Sequence, residues 1–466
     1  MKTFVMPITI NRHDTPCIWL PDELLESFAL SPGKTVIVRF GQQQSPAHVL
    51  RSPHPGRVYA SHALAQPLCL PSCQLHIRLT EQNQLRLGPL IGLLSNWRLP
   101  MFTSFLAAAQ DKGAVFYFFR PEDIKWSEKK VLATVIERMN GHQQKVYWKR
   151  LKLPLPDVVY ERIPNRQSEK RKDVQLCLQK LRRMPNLHMF NQGFYNKWDI
   201  YRRLEKSPSL RPHLPETALA YPSHIDTFLS RYPTVYIKPI HGSLGLGIVR
   251  AHQVRNGAIQ CDYQRGGVVR SRLVANSFRL CQEYAIAPTR YLVQPAIPLI
   301  QYRQAPVDFR VHLHRDGHGQ WQVIAVGAKV AHHRQSITTH VRTGGTFMPA
   351  ETVLQAAFGE RAATILESLR RTSLLFAEQV AQSEAGPIGE LGLDMGIDIH
   401  GHPWLFEINA KPGRHIFHNP WLKKAARESA QAIVDYAIYL SGFAGEQHQG
   451  GTSWYPMEKA DLSSAF

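Results

Sequence analysis

The sequence predicts a multidomain chain of mixed α/β and α+β class, and three observations lead there. Residues 1–87 read as short strands separated by turns. Residues 90–119 read as strand, helix, strand, the pattern of a parallel sheet. Residues 387–413, PIGELGLDMGIDIHGHPWLFEINAKPG, read as an antiparallel hairpin that brings two carboxylates, Asp394 and Glu407, onto one face. At 466 residues the chain can bury a large core and should form two or three domains. The predicted division is a small β-rich N-terminal module at 1–87, a parallel-sheet α/β domain at 88–185, a motif-bearing domain at 186–442, and a flexible tail at 443–466.

In the first part, Pro21–Leu30 reads as a short helix, Ser31 to Lys34 as a turn and Thr35–Phe40 as a strand. Short strands at this spacing suggest a small barrel with a structural or binding role. Next, Leu90–Leu94 reads as a buried strand, Thr103–Asp111 as a helix and Val115–Phe119 as a strand. Glu161 to Arg183 is polar and reads as helical. In the third part, the spacing of Ile365, Leu369, Leu374 and Phe376 predicts one long helix, and Pro420–Leu440 predicts another. The stretch from 443 is rich in Gly and Ser and reads as poorly ordered.

The hairpin carries the clearest chemistry. Residues i and i+2 of a strand share a face, so Glu407 and Asn409 project together, and the turn at His400-Gly401-His402 brings Asp394 beside them. Two carboxylates and an amide oxygen on one face suit a hard divalent cation such as Mg²⁺, which binds through few carboxylates and substrate phosphates. The plain alternative is a sheet whose carboxylates face solvent. A second element is TVYIKPIHGSLGLGIVRA at 234–251. A strand over Thr234–Ile237 delivers Lys238, and Gly242, Gly245 and Gly247 follow before the apolar run from Ile248. Glycines let backbone N–H groups approach phosphate oxygens, and lysine adds a point charge. The run after the glycines continues as strand, so this is a flap between two strands or an ordinary hairpin turn. It is not a loop that opens a helix.

Together these elements resemble the ATP-grasp superfamily, and more narrowly the YheC/YheD family of endospore coat-associated ATP-grasp proteins. The narrower resemblance rests on GPLIGLL at 88–94, PLPDVVYERIPNR at 154–166, HLPET at 213–217, KPIHGSLGLGI at 238–248, DFRV at 308–311, and ELGLDMGID with LFEINAKPGR at 390–414. It implies an ATP-grasp fold, two α+β subdomains gripping ATP, preceded by a pre-ATP-grasp domain at 88–185. It also implies ATP and Mg²⁺ as cofactors, with Asp394, Glu407 and Asn409 as the metal ligands. Lys197, in NKWDIYRRL, resembles a first ATP-contacting lysine; the alternative is a surface helix lysine. Gly242, Ser243, Gly245 and Gly247 would form the flap over the phosphates. YLVQPAI at 291–297 resembles the hinge at the adenine edge, with Gln294 and Ala296; the alternative is a plain buried strand. Asp308 and Arg310 alternate with Val307, Phe309 and Val311 and so face one side. The resemblance places Arg310 on phosphate and Asp308 near ribose or supporting Arg310; a structural ion pair competes. Lys329 stands where relatives carry arginine and keeps the charge without the fork. The catalytic roles implied fall to Arg310 and Lys238.

The activity implied is a ligase joining a carboxylate to an amine or other nucleophile through an acylphosphate. The alternative is a non-catalytic coat scaffold that binds ATP, and a weaker third reading is a kinase. Expected partners are ATP, an unidentified acidic or peptide-like carboxylate, and a spore coat or cell-envelope polymer. Formal charge is +20, and residues 145–206 hold sixteen Lys or Arg against six Asp or Glu. No nucleic-acid motif accompanies that basic window, so a solvated helix face, with some residues drawn toward phosphate, is the expectation. Six cysteines without a metal-ligand pattern read as reduced thiols. No apolar run reaches 18 residues and the start MKTFVMPITINRHD lacks a signal-peptide core, so the expected location is cytoplasmic. The resemblance adds an association with the spore coat.

Overall fold

The computed structural model describes residues 2–96, 102–138, 146–242, 245–265, 268–339 and 344–445. By its internal contacts the chain forms two units. One comprises Met1–Gly92, Ala109–Val158 and Ile438–Phe466; the other comprises Leu93–Ala108 and Val159–Ala437.

The first unit holds a closed barrel of seven strands, in the order Phe4–Asn11, Val58–Ser61, Cys17–Leu20, Gln43–Arg51, Thr35–Phe40, Gln84–Gly88, Gln74–Leu79. Period-two burial drives it: Phe4, Met6 and Ile8 point inward on one strand, Val36, Val38 and Phe40 on another. The helix read at Pro21–Leu30 is shorter, Asp22–Ser27, because Ala29 adopts a left-handed conformation that ends it. Three strand pairs in the barrel are parallel, the one beginning at Phe4 with that at Val58, Cys17 with Gln43, and Thr35 with Gln84. The same unit includes Val115–Phe119, Lys130–Arg138 and Val146–Pro154, the last two paired antiparallel.

The predicted tail does not begin at residue 443. Phe443 is fully buried in the first unit, its ring 4.7 Å from the Arg86 guanidinium and 5.9 Å from the His76 ring. An aromatic side chain of this size is worth burying even at the edge of a glycine-rich stretch. Residues 446–466 of the expected tail lie outside the described residues.

The second unit holds two antiparallel sheets. One runs Ala218–Leu219, Tyr291–Pro295, Val235–Pro239, Val249–Gln253, Ile259–Arg265, Val268–Val274. The other runs Thr346–Pro349, Trp321–Val330, Ala305–Arg315, Glu390–Ile397, Pro403–Asn409, with Gln301–Tyr302 pairing Ala305–Arg315. The long helix Ala362–Ser383 covers this second sheet and buries Ile365, Leu369, Phe376 and Val380 against Phe309, Leu391 and Met395. Of the residues used to predict that helix, only Leu374 is merely half-buried. The other predicted helix begins at Lys423, because Pro420–Leu422 form a 3₁₀ turn ahead of it.

The reading of Glu161 to Arg183 as helix is corrected. Val158–Glu161 is a fully buried strand, and helix appears only at Arg166–Glu169 and Lys172–Arg182. Ile163 precedes Pro164, a placement that disfavours helical backbone, and Asn165 then caps the first short helix. The basic window is likewise not one solvated helix face. Its first part is the strand Val146–Pro154, and Arg162 is buried. Among the described residues no helix is long and apolar enough to cross a membrane.

Candidate functional site

Strand register assembles the site. Arg310 lies opposite Asp394, Asp308 opposite Lys329, and Asp394 opposite Glu407. Gly392 pairs with Asn409. The odd positions Val307, Phe309 and Val311 are fully buried in the core, so Asp308 and Arg310 emerge on the other face. A register irregularity after Asp394 lets Glu407 keep its place opposite it. The three residues predicted as metal ligands, Asp394, Glu407 and Asn409, are therefore neighbours on one face.

Each carboxylate there meets a base. Arg310 donates from Nε to Asp394 Oδ1 and from Nη2 to Oδ2, each at 2.9 Å. Lys329 Nζ lies 2.9 Å from Asp394 Oδ1 and 2.7 Å from Asp308 Oδ1. Thr339 donates its hydroxyl to Asp308. Asn409 Nδ2 is 3.4 Å from Asp394 Oδ2. Glu407 is held by Lys197, with Nζ 3.0 Å from Oε1. Burial alone would raise the Asp394 carboxyl, but Arg310 and Lys329 outweigh it and hold the group well below the usual carboxylate range. Asp308 goes the other way: burial raises it, against the pull of Lys329. Lys329 and Arg310 lose by burial but gain more from these carboxylates, and both remain firmly charged.

Lys197 opens the helix Lys197–Leu204, whose N-cap Asn196 accepts from the N–H groups of Trp198 and Asp199. Its ammonium also donates to the carbonyl of Gly242. Lys238 lies on Val235–Pro239, opposite Leu292, and donates to Gln294 Oε1 at 3.0 Å. Gln294 Nε2 in turn donates to Thr217 Oγ1 at 2.9 Å. Lys238 stands 5.3 Å from the ring centroids of both Tyr236 and Phe406. Burial, with the nearby charge of Lys197, lowers its pKa to about 8. The turn after Lys238 needs its glycines. Gly245 and Gly247 have φ of +72° and +73°, and a Cβ on Gly245 would sit 2.8 Å from Thr338. Ser243 lies outside the described residues. Ala296 uses its N–H on the Thr234 carbonyl at 2.9 Å, so only its carbonyl is left for a ligand there.

Beside these residues lies a narrow cleft of about 30 Å³. Ile200, Leu204, Leu292 and Leu405 make its apolar walls, and Lys197, Gln294 and Glu407 its polar end. Its walls suit an apolar group whose charged part reaches the cations, and at this size they must part to admit anything much larger than a water molecule. An Asp–Glu–Asn donor set of oxygens, next to Lys197, Lys238 and Arg310, fits a divalent cation carried with phosphates.

A buried hub on the same strands escaped the sequence reading. Glu390 accepts from Arg162 at 3.1 Å, and from Tyr160 and Arg414. His314 is 3.7 Å from it and is bonded to Ser429 at 2.9 Å. His312 and His314 complete a trio of possible metal ligands with Glu390. Two guanidiniums already claim that carboxylate, and a third cation between them would be repelled. Among the described residues neither ring nitrogen of His312 has a hydrogen-bond partner, and burial together with Arg310 keeps the ring neutral. The available signal was positional: Tyr160 and Arg162 sit in PLPDVVYERIPNR, and Arg414 closes LFEINAKPGR.

Comparison with known proteins adds the family. Residues 186–440 match the model described as YheC/D like ATP-grasp. The chain is 30% identical over 456 residues to endospore coat-associated protein YheD of Bacillus subtilis (strain 168), covering 94% of this chain and 96% of that one. It is 23% identical over 316 residues to YheC of the same organism, covering 66% and 83%. Among solved structures it is similar to the ATP-grasp ligase PsnB complexed with a minimal precursor, at 14% identity and a TM-score of 0.43, over 76% of this chain and 99% of that one. D-cycloserine synthetase DcsG is similar at 15% identity and a TM-score of 0.43, over 75% and 99%. Two sheets carrying Lys238 and the Asp394–Glu407 pair, a match to the family model over more than half the chain, and a relative aligned over nearly its whole length lead to one conclusion: the chain belongs to the YheC/D-like ATP-grasp family and has the ATP-grasp fold.

Proposed function

We propose that the protein is a Mg²⁺- and ATP-dependent ligase, which joins a carboxylate to an amine or other nucleophile and acts on a component of the spore coat or cell envelope. The observation that carries this reading is the opposed pair Asp394 and Glu407, with Arg310, Lys329 and Lys197 bonded to it. A structural ion-pair network needs matched charges only. This one also offers a small apolar-walled cleft, a glycine turn and a lysine, Lys238, whose bonding partner is the neutral Gln294.

The adenine ring would enter the apolar cleft as its walls part, and the phosphates would run toward Lys197, Lys238 and the glycine turn. Asp394, Glu407 and Asn409 would hold Mg²⁺, which would supply neutralisation of phosphate charge. Lys197 would move from Glu407 and the Gly242 carbonyl to phosphate, which frees Glu407 for the cation. Arg310 would open its fork and turn N–H groups to the transferring phosphoryl group, where developing charge is stabilised, which leaves an Asp394 oxygen for the cation. The substrate carboxylate attacks the γ-phosphorus, ADP leaves, and an acylphosphate forms. The nucleophile then displaces phosphate from it. The turn at 242–247 shields the acylphosphate from water.

The test pairs thermal unfolding with ADP release, for wild type and Glu407→Gln. ATP with Mg²⁺ at about 100 times its Kd should stabilise wild type by about 2.7 kcal/mol. That shift should shrink in Glu407→Gln, and ADP release on a panel of acids and amines should depend on both partners. Binding without turnover on any panel would favour an ATP-binding coat scaffold. No shift in wild type would overturn the nucleotide site itself.

A further inference from the structure

We propose that Arg166 is a positioning residue for the glycine turn, fixing it against the start of the Lys197 helix. For its effect on ATP the inference rests on the nucleotide reading above; its geometry does not. The guanidinium bonds two chain segments at once. Nη1 donates to the His241 carbonyl at 3.1 Å, and Nη2 donates to the Tyr195 carbonyl at 2.6 Å. His241 directly precedes Gly242, and Tyr195 lies two residues before Lys197.

Two other bonds join the same segments, and they behave differently. The Lys197 N–H reaches the Ile240 carbonyl at 3.3 Å, a long bond. The Lys197 ammonium reaches the Gly242 carbonyl, but would release it on turning to a phosphate. Both hydrogen bonds of Arg166 go to backbone carbonyls and its charge also faces Glu407 and Glu169, so its bridge need not break in that exchange.

The bridge is itself held firmly. Arg166 stands 5.2 Å from the Phe194 ring centroid, and the Lys411 ammonium stands 4.3 Å from the same ring. Lys411 is nearly fully buried between Glu161 and Glu169. Gly193 donates its N–H to Glu161 at 3.2 Å. At the head of the segment, Asn191 donates to the carbonyls of Glu390 and Ala410 and accepts from the N–H groups of Gly389 and Glu390. Residues 191–197 are thus tied to the metal-ligand hairpin at one end and, through Arg166, to the glycine turn at the other. A planar fork serves the two carbonyls from separate nitrogens, whereas a lysine would have to serve both from one.

The experiment uses the full chain as wild type, Arg166→Ala and Arg166→Lys. Amide hydrogen exchange is followed without nucleotide, and ATP affinity is measured calorimetrically with Mg²⁺. Both variants should exchange faster in peptides covering Lys238–Gly242, with Glu390–Asn409 unchanged. Both should weaken ATP by about tenfold, the worth of one or two hydrogen bonds, while the melting temperature barely moves. Unchanged exchange at Lys238–Gly242, or full rescue by lysine, would overturn the proposal, since charge alone would then suffice. If wild type binds no ATP, the nucleotide reading fails, and the exchange data still decide the role of Arg166. If Arg166→Ala does not fold, Arg166→Lys carries the same comparison.

Discussion

Arg310 and Asp394 face each other across two antiparallel strands and are joined by two parallel bonds of 2.9 Å each. The fork fixes both side chains, so one of the predicted metal ligands is held in place before any ligand arrives. Arg310→Lys keeps the charge and loses the fork. The variant should remain folded, with ATP affinity reduced about tenfold or more, a loss of about 1.4 kcal/mol or more. Calorimetric titration with Mg²⁺ present, beside a thermal melt, checks this; undiminished affinity would show that the fork is merely structural.

Lys238 should impose a pH limit on nucleotide binding. Its pKa of about 8 lies below the ordinary lysine value of 10.5, through burial and then through Lys197. The charged form holds phosphate, so affinity should be level below pH 8 and fall as pH rises through it, by up to about tenfold per unit. Stability has the opposite sign: the unfolded chain keeps this proton up to about 10.5, so stability contributed by this group rises between pH 8 and 10.5. Affinity measured from about pH 6.5 to 9.5 in wild type and Lys238→Met tests it. A variant profile that retains the fall would assign it to another group.

The Glu390 hub should govern acid stability. Burial would raise this carboxyl, yet Arg414 and Arg162 hold it at about 2, against an ordinary 4.5. Its contribution is present above pH 4.5 and is lost as pH falls toward 2. Glu390→Gln leaves two buried guanidiniums without their counter-charge, which should cost about 3–5 kcal/mol. Urea unfolding at neutral pH gives the cost, and the variant should show a flatter acid profile between those two values.

Gly245→Ala should separate the turn from the core. A φ of +72° disfavours any Cβ, and Thr338 stands where that atom would go. The strain is about 1–2 kcal/mol, and it falls on the turn. Nucleotide affinity should drop with little loss in melting temperature; equal losses in both would place the turn within the cooperative core.

Much of this was legible because it is local. The hairpin from Glu390 to Asn409 announces itself through alternation and a His-Gly-His turn, and the Ile365 to Val380 stripe through helical spacing. The Asp308–Lys329 pair was half legible: alternation showed the face of Asp308, but not which residue of the next strand would stand opposite. The Glu390 hub was illegible, since Tyr160 and Arg162 lie 230 and 228 residues away in sequence. Arg166 was hidden in the basic window, where charge count masks a guanidinium committed to two backbone carbonyls. Phe443 is illegible as a core residue because it stands at the head of a glycine-rich stretch, with its packing partners Arg86 and His76 far away in sequence.

The first unit takes strands from one end of the chain and Phe443 from near the other. During synthesis the barrel can close early, but its last anchor is still inside the ribosome until after residue 443 has been added. Completion of the first unit therefore waits for synthesis of the whole of the second.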